Sequence, residues 1–296
     1  MTLQNQPIQD LTVVVPVYNE AACLEETLPL LVSYCFEKGW HLVLVNDGST
    51  DGSKGLLQQL TPSPQVTILH HKLNKGYGAA IKSGLEACTT TYMITFDADG
   101  QHSLSDLDKL FSVVIEKDAD MVVGSRRRST AGSYYKGFGK FLIRSLARIL
   151  MTVPIRDLNS GMKIYRTDLA KNYLHLLPDT MAFSDIITLV FLNNRDLVLE
   201  EPIKINKRSH GKSKIGIQSA FHTLMEIIHI VILFNPMKIF LPLSLICIIL
   251  ASIWGIPLLL EGRGVSTGSL LGFITGILLF LLGLIAEQLA AIRKAN

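Results

Sequence analysis

Two long apolar runs constrain this chain more than any other feature. From Met237 through Leu260, and again from Gly268 through Leu284, apolar residues dominate, and between Lys238 and Glu287 the only charges are Glu261 and Arg263. Each run is long enough to cross a hydrocarbon core, which takes roughly 20 residues of helix. A pair of buried core helices is the alternative, but a soluble domain rarely hides two such runs in succession. The pattern therefore predicts a two-span hairpin over residues 237–296, with Glu261-Gly262-Arg263-Gly264 as its turn and a short tail after it. Lys207, Arg208, Lys212, Lys214 and Lys238 precede the first span, and Arg293 and Lys294 follow the second. By the positive-inside rule both flanks, and so both termini, are expected on the cytoplasmic side.

The remaining sequence carries most of the charge and reads as one domain over residues 1–214, followed by an interfacial amphipathic helix over 215–236. In that second element Gln218, His222, Glu226 and His229 line a narrow polar side before Asn235-Pro236 breaks it. Lys136, Lys140, Arg144 and Arg148 recur at steps of four beside Phe138, Phe141, Leu142 and Leu146, a pattern suited to a helix lying on an anionic membrane. A solvated basic face is the other reading. Met1 to Asp10 has neither the basic start nor the apolar centre of a signal peptide. Cys23, Cys35, Cys88 and Cys247 lack metal-type spacing and read as free thiols in a reducing compartment. A net charge of +3 is too small to imply nucleic acid, no aromatic residues are interleaved among basic ones, and no nucleic-acid partner is expected.

Short, β-branched-rich runs at Leu11 to Val17, His41 to Val45, Val66 to Leu69, Tyr92 to Phe96 and Met121 to Val123 read as buried parallel strands. Helical stretches fall between them at about Glu20 to Phe36, Asp51 to Leu60, Gly78 to Ala87 and Ser103 to Glu116. The alternation predicts an α/β fold, a mostly parallel sheet covered by helices on both faces. Ligands in such folds bind beyond the carboxyl ends of the strands.

Four of those ends carry suggestive chemistry. Asp97-Ala98-Asp99 aims two carboxylates out of a buried strand's end, where a hard cation such as Mg2+ or Mn2+ can be held against a diphosphate. A polar turn is the alternative, with Ser103 and Asp106 as a capping box opening the next helix. Pro16-Val17-Tyr18-Asn19-Glu20 and Asn46-Asp47-Gly48-Ser49 end the first two strands and place Glu20 and Asp47 as acceptors for a nucleobase and ribose. Ordinary Asx-turn and helix-cap chemistry explains the same residues, with Thr50 or Asp51 as the cap. Asn74-Lys75-Gly76-Tyr77-Gly78 allows close backbone approach to a ligand, or is a plain glycine turn.

Taken together and in this order, these motifs resemble the family-2 inverting glycosyltransferases with the GT-A fold. Gly124-Ser125-Arg126, Asp157-Leu158-Asn159-Ser160-Gly161-Met162 and Arg208-Ser209-His210-Gly211-Lys212-Ser213-Lys214 extend the likeness to residue 215 or so. Within that family the chain is similar to the membrane-anchored polyprenyl-phosphate glycosyltransferases, the group of dolichol-phosphate mannose synthases and bactoprenol glucosyltransferases. The resemblance implies a GT-A (Rossmann-like) domain, a UDP- or GDP-sugar donor, a polyprenyl phosphate acceptor and a bacterial cytoplasmic membrane. It implies that Pro16, Tyr18, Glu20, Asp47, Lys75, Asp97 and Ala98 hold the nucleotide, and that Asp97, Asp99 and Gln101 hold Mg2+ or Mn2+. Arg126, Arg208 and Lys214 are then the cations for acceptor phosphate, Arg126 and Arg208 because guanidinium forks match phosphate geometry. Asp157 is expected beside the reacting groups, or as the anchor of its own loop.

A hydroxyl acceptor needs a general base, whereas a polyprenyl phosphate is already anionic near neutral pH. Where many relatives carry Glu-Asp, this chain has Phe183-Ser184-Asp185-Ile186, which a phosphate nucleophile tolerates. Two other readings stay open: transfer to a glycan or glycolipid hydroxyl, and an inactive membrane-anchored scaffold that binds nucleotide sugar. A homo-oligomer is compatible with every one of them.

Overall fold

The computed structural model describes residues 10–60, 63–126, 155–158, 160–204, 232 and 235–295. Arg208 and Lys214, the amphipathic stretch expected at 136–148, and that expected at 215–236 apart from residues 232, 235 and 236, lie outside the described residues. The chain divides into two compact units, one carrying residues 10–126 and 155–204, the other carrying the C-terminal helices.

Among the described residues, the first unit is built on seven strands: β1 (Leu11–Val17), β2 (His41–Asn46), β3 (Val66–His70), β4 (Tyr92–Thr95), β5 (Met121–Arg126), β6 (Lys163–Arg166) and β7 (Val198–Ile203). They pair in the order β3-β2-β1-β4-β6-β5-β7. β1 pairs parallel with β2 and β4, and β2 parallel with β3. β6 runs antiparallel to both β4 and β5, so it alone of the seven points the other way, while β5 and β7 pair parallel.

β4 is buried throughout, and β1 and β2 nearly so, as near-continuous apolar runs require when helices cover both faces. β3 departs from the expectation of a buried strand. It closes one end of the sheet and leaves Thr67 and His70 exposed, with its other residues only half-buried, as an edge strand allows. β7 closes the other end and accommodates Pro202, which an edge strand tolerates.

The helices are α1 (Ala21–Lys38), α2 (Ser53–Gln58), α3 (Tyr77–Ala87), α4 (Leu104–Glu116), α5 (Thr167–Asn172) and α6 (Phe183–Asn193). α1 buries Leu24, Leu28, Leu31 and Cys35, one stripe at helical spacing, and ends at Gly39 with φ 70°, the left-handed conformation that glycine adopts without steric cost. Asp51 caps two helices: Oδ2 accepts from Ala21 N at 3.0 Å and Oδ1 from Ser53 N at 2.9 Å. The capping box expected at Ser103 and Asp106 does not form. Ser103 Oγ pairs with Ser105 Oγ at 2.8 Å, and the buried Asp106 accepts from Lys204 N at 3.1 Å. The exit of β7 thereby gains a partner for a backbone donor, while α4 starts without the cap.

Among the described residues, the second unit carries a hairpin of α7 (Met237–Leu260) and α8 (Thr267–Ala295). Both carry windows of mean hydropathy 2.5 with only 17% of the window buried, unlike the core helices of a soluble protein. Small residues let the helices approach. A Cβ at Gly276 would meet Ile248 Cγ1 at 2.5 Å, and one at Gly272 would meet Ala251 Cβ at 2.9 Å. Ser244 Oγ donates to Gly276 O at 2.7 Å and Ser269 Oγ to Ala251 O at 3.0 Å, so two hydroxyls close the seam with hydrogen bonds, as apolar surroundings favour.

Candidate functional site

The reversal of β6 assembles the site. Its first residue, Lys163, is in register with Val123 of β5, and Ile164 with Ile94 of β4, so β6 begins at the sheet edge where its neighbours end. The segment leading into it, with Asp157, Ser160 and Gly161, is thereby delivered to the edge that carries Asp97 and Arg126.

At the β1 end, Pro16 is half-buried and Tyr18 is exposed. Asn19 takes φ 55°, and its Oδ1 accepts from Thr50 N at 2.8 Å and Asp51 N at 3.3 Å. Glu20 N donates to Ser53 Oγ at 3.1 Å. These bonds lace the β1 and β2 loops into one surface. Ser49 N donates to Asn46 Oδ1 at 3.0 Å, the Asx turn that the sequence allows.

Asp47 does not open onto that surface. Its side chain is 4% exposed. Oδ1 lies 2.6 Å from His71 Nδ1 and accepts from Lys75 N at 2.9 Å, while Oδ2 accepts from Gly76 N at 2.9 Å. His71 Nε2 reaches Ser83 Oγ at 2.9 Å. The carboxylate thus shapes the Leu73–Gly76 loop, leaving the Lys75 side chain exposed at the rim. Gly48, at φ 66°, lies so close to that loop that a Cβ would meet Leu73 C at 2.5 Å.

Asp97 and Asp99 follow β4, flanking the buried Ala98. Asp97 Oδ1 accepts from Tyr77 OH at 3.2 Å, and Oδ2 lies 3.4 Å from His102 Nε2. Burial and the Asp97 carboxylate push the Tyr77 phenol well above its ordinary value, so it remains a donor. Asp99 Oδ1 accepts from Gln101 N at 3.1 Å, closing a tight turn over Gly100 at φ 74°. A Cβ at Gly161 would meet Asp97 Oδ2 at 2.0 Å, so the bare glycine is what admits the carboxylate. Thr95 Oγ1 fixes that glycine by donating to its carbonyl at 2.6 Å.

This donor set fits a small hard cation. It offers two half-buried carboxylates, and among the described residues no group of three or more His, Cys, Asp and Glu side chains could hold a metal. A carboxylate pair completed by substrate phosphates is how Mg2+ is ordinarily bound, in contrast to a closed all-protein cage.

Across β6, Arg126 forms a two-pronged pair with Asp157: Nε to Oδ2 and Nη2 to Oδ1, both at 2.8 Å, with Arg126 N also reaching Oδ2 at 2.9 Å. Burial alone would raise the Asp157 carboxyl, but the guanidinium and main-chain donors of Arg126 hold it below its ordinary value. Glu200 of β7 anchors the segment, accepting from Arg156 N and Asp157 N at 3.1 Å each. The Arg126 side chain is 45% exposed and feels the fields of Asp157, Asp97 and Asp185.

The structure therefore brings Asp97, Ala98, Asp99, Gln101, Arg126 and Asp157 to one edge, with Pro16, Tyr18, Glu20 and Lys75 further along it and Asp47 beneath. Sequence reasoning assigned no role to Tyr77, Thr95 or His71. Tyr77 stood inside a quoted glycine motif, and an aromatic between two glycines at a strand-to-helix junction is the signal that pointed to it.

The profile of glycosyl transferase family 2 matches residues 12–174, and that of the GtrB C-terminal hairpin matches residues 235–292. The chain is 29% identical over 225 residues to undecaprenyl-phosphate 4-deoxy-4-formamido-L-arabinose transferase of Edwardsiella ictaluri, covering 75% of this chain and 67% of that one. It is also 29% identical over 225 residues to polyprenol monophosphomannose synthase of Mycolicibacterium smegmatis, covering 71% and 83% respectively. In fold it is similar to glucosyl-3-phosphoglycerate synthase from Mycobacterium tuberculosis, crystallised with Mn2+, UDP and phosphoglyceric acid. The TM-score is 0.56 at 15% identity, covering 76% of this chain and 78% of that one.

Proposed function

Because the chain belongs to glycosyl transferase family 2, we propose that it transfers a sugar, with inversion, from a nucleoside diphosphate to a polyprenyl phosphate at the cytoplasmic face of a membrane. The observation that carries this reading is the placement of the Asp97–Asp99 pair at the end of β4 and the Arg126–Asp157 pair at the end of β5, with β6 between them, so that two carboxylates and a part-exposed guanidinium share one edge. The relatives' polyprenyl-phosphate acceptors and the C-terminal hairpin support the lipid acceptor.

In this reading the laced β1 and β2 loops, with Pro16, Tyr18 and Glu20, hold the nucleoside. Asp47 acts from below by fixing the loop that presents Lys75. Asp97, Asp99 and Gln101 would hold Mg2+ or Mn2+, which when bound offsets the charge growing on the departing diphosphate. Tyr77 and Gly161 fix the Asp97 carboxylate. Arg126, oriented by Asp157, takes the acceptor phosphate, with Arg208 and Lys214 as further cations. The phosphate oxygen attacks the anomeric carbon, the bond from that carbon to the diphosphate oxygen breaks, and the nucleoside diphosphate leaves. The nucleophile is already an anion, so no side chain has to remove a proton. The two apolar helices keep the domain where the lipid headgroup is found.

The test incubates the purified full chain with Mn2+ or Mg2+, undecaprenyl phosphate and a panel of UDP- and GDP-sugars, and weighs the lipid products. A lipid-phosphate-linked sugar is expected, lost in Asp99→Ala while that variant stays folded and membrane-bound. Glycosylation of a hydroxyl acceptor, with the lipid phosphate untouched, would overturn the reading.

A further inference from the structure

Lys163 is a charge that the chemistry above does not use. It opens β6, is 1% exposed, and spends its side chain inside the core. Its Nζ donates to Leu158 O at 2.5 Å, to Thr188 Oγ1 at 2.8 Å and to Ser184 O. Three acceptors match the three hydrogens of an ammonium, and a neutral amine would leave one of them without a donor. Two of the acceptors belong to the first turns of α6 and the third to the residue after Asp157. Ser184 Oγ adds a parallel tie by donating to Ser160 O at 2.6 Å. The main chain of Lys163 is held as well, its N–H donating to Thr95 Oγ1 at 3.1 Å.

Burying an ammonium is costly, and an apolar side chain would fill a central strand position without that cost. Burial depresses Lys163 to about 7, opposed by the carboxylates of Asp185 and Asp157 and assisted by Arg126. What the charge obtains in return is geometric. It joins the end of β6, the segment carrying Asp157 and the start of α6 at one point, one residue from the carboxylate that grips Arg126.

We propose that Lys163 is a positioning residue for the acceptor: its ammonium ties the Asp157 segment to α6, so that Asp157 presents the Arg126 guanidinium to the acceptor phosphate in a single orientation. This rests on the reading of Arg126 as an acceptor-phosphate residue. Lys163 touches neither substrate, so its loss acts on the acceptor side of the site and leaves the Asp97–Asp99 side in place.

The experiment measures KM for undecaprenyl phosphate and for the donor separately, at about pH 6, where Lys163 keeps its proton, in full-length wild type, Arg126→Ala, Lys163→Met and Thr188→Val. Lys163→Met should raise the acceptor KM about tenfold, the usual scale for losing charge-assisted hydrogen bonds, with the donor KM unchanged. Thr188→Val, which keeps the lysine and removes one acceptor, should raise it about threefold. A general loosening of the fold would move both constants together, and that result overturns the proposal. So does an unchanged acceptor KM in Lys163→Met or Thr188→Val when Arg126→Ala raises it. If Arg126→Ala itself leaves the acceptor KM unchanged, the phosphate reading of Arg126 falls and takes this inference with it. Should Lys163→Met not accumulate in folded form, Thr188→Val decides.

Discussion

Replacing Gly161 by alanine should cripple transfer while leaving the fold intact. The added Cβ would stand 2.0 Å from Asp97 Oδ2 and 2.8 Å from its Cγ, where ordinary contact begins at 3.4 Å, so the carboxylate must move by about 1.4 Å. The atom displaced is the end of a side chain, not backbone. Stability should therefore fall by no more than about 2 kcal/mol, the value of the Tyr77 hydrogen bond to a carboxylate that the movement strains. Catalysis is less forgiving, since a misplacement of about 1 Å in a reacting site costs on the order of a hundredfold, or about 2.7 kcal/mol of transition-state stabilisation. The assay is kcat/KM for lipid-linked product under Mn2+, paired with thermal melting in the same detergent and with Mn2+ titration in the presence of UDP. A variant that melts like the wild type, binds Mn2+ and UDP as tightly and turns over within about threefold of it would refute the role given to the Asp97 position.

Asp47→Ala leaves Lys75 N, Gly76 N and His71 without their acceptor, so it should lose about 3 kcal/mol of stability and raise the donor KM; melting and donor-dependent kinetics check this. Lys163 gives a pH dependence of defined sign. Its native value of about 7 lies below the ordinary 10.5, so between those limits the unfolded chain binds more protons, and stability should rise with pH by up to about 1.4 kcal/mol per unit. Melting temperatures of wild type and Lys163→Met from pH 7 to pH 10 or so isolate that slope, which the methionine variant should lack. In the hairpin, Gly276→Leu must displace Ile248 and the Ser244 hydrogen bond, and should lower the melting temperature of the detergent-solubilised protein and expose the α7–α8 turn to protease.

The parts legible in the sequence were those whose causes are local. β1 was read with the observed limits, and α1, α3 and α4 within two residues at each end, because apolar runs and turn residues determine them. β6 and β7 went unread. Lys163-Ile164-Tyr165-Arg166 and Val198 to Ile203 carry charges where a buried strand has none, and only pairing with β4 and β5 makes strands of them. The acidic pair after β4 was visible because its position at a strand end is local. Asp47 was placed at the correct edge but faces inward, since its partners Lys75 and Gly76 lie beyond another strand. The capping box at Ser103 failed for the same kind of reason: Asp106 accepts from the main chain of Lys204, 98 residues further along, just after β7. Lys163 drew no reading from the sequence because its partners on α6 are distant along the chain.

The backward course of β6 divides the labour of the edge. Everything proposed to grip the donor comes from β1 through β4 and the loops after them, whereas the acceptor corner, among the described residues, is drawn from β5, β6 and β7. The boundary between the two sets runs along one antiparallel seam, Tyr92 to Ile94 against Ile164 to Arg166. A chimaera crossed over at that seam would exchange one partner's preference and keep the other's, with Thr95 and Gly161 as the stitches any recombinant has to preserve.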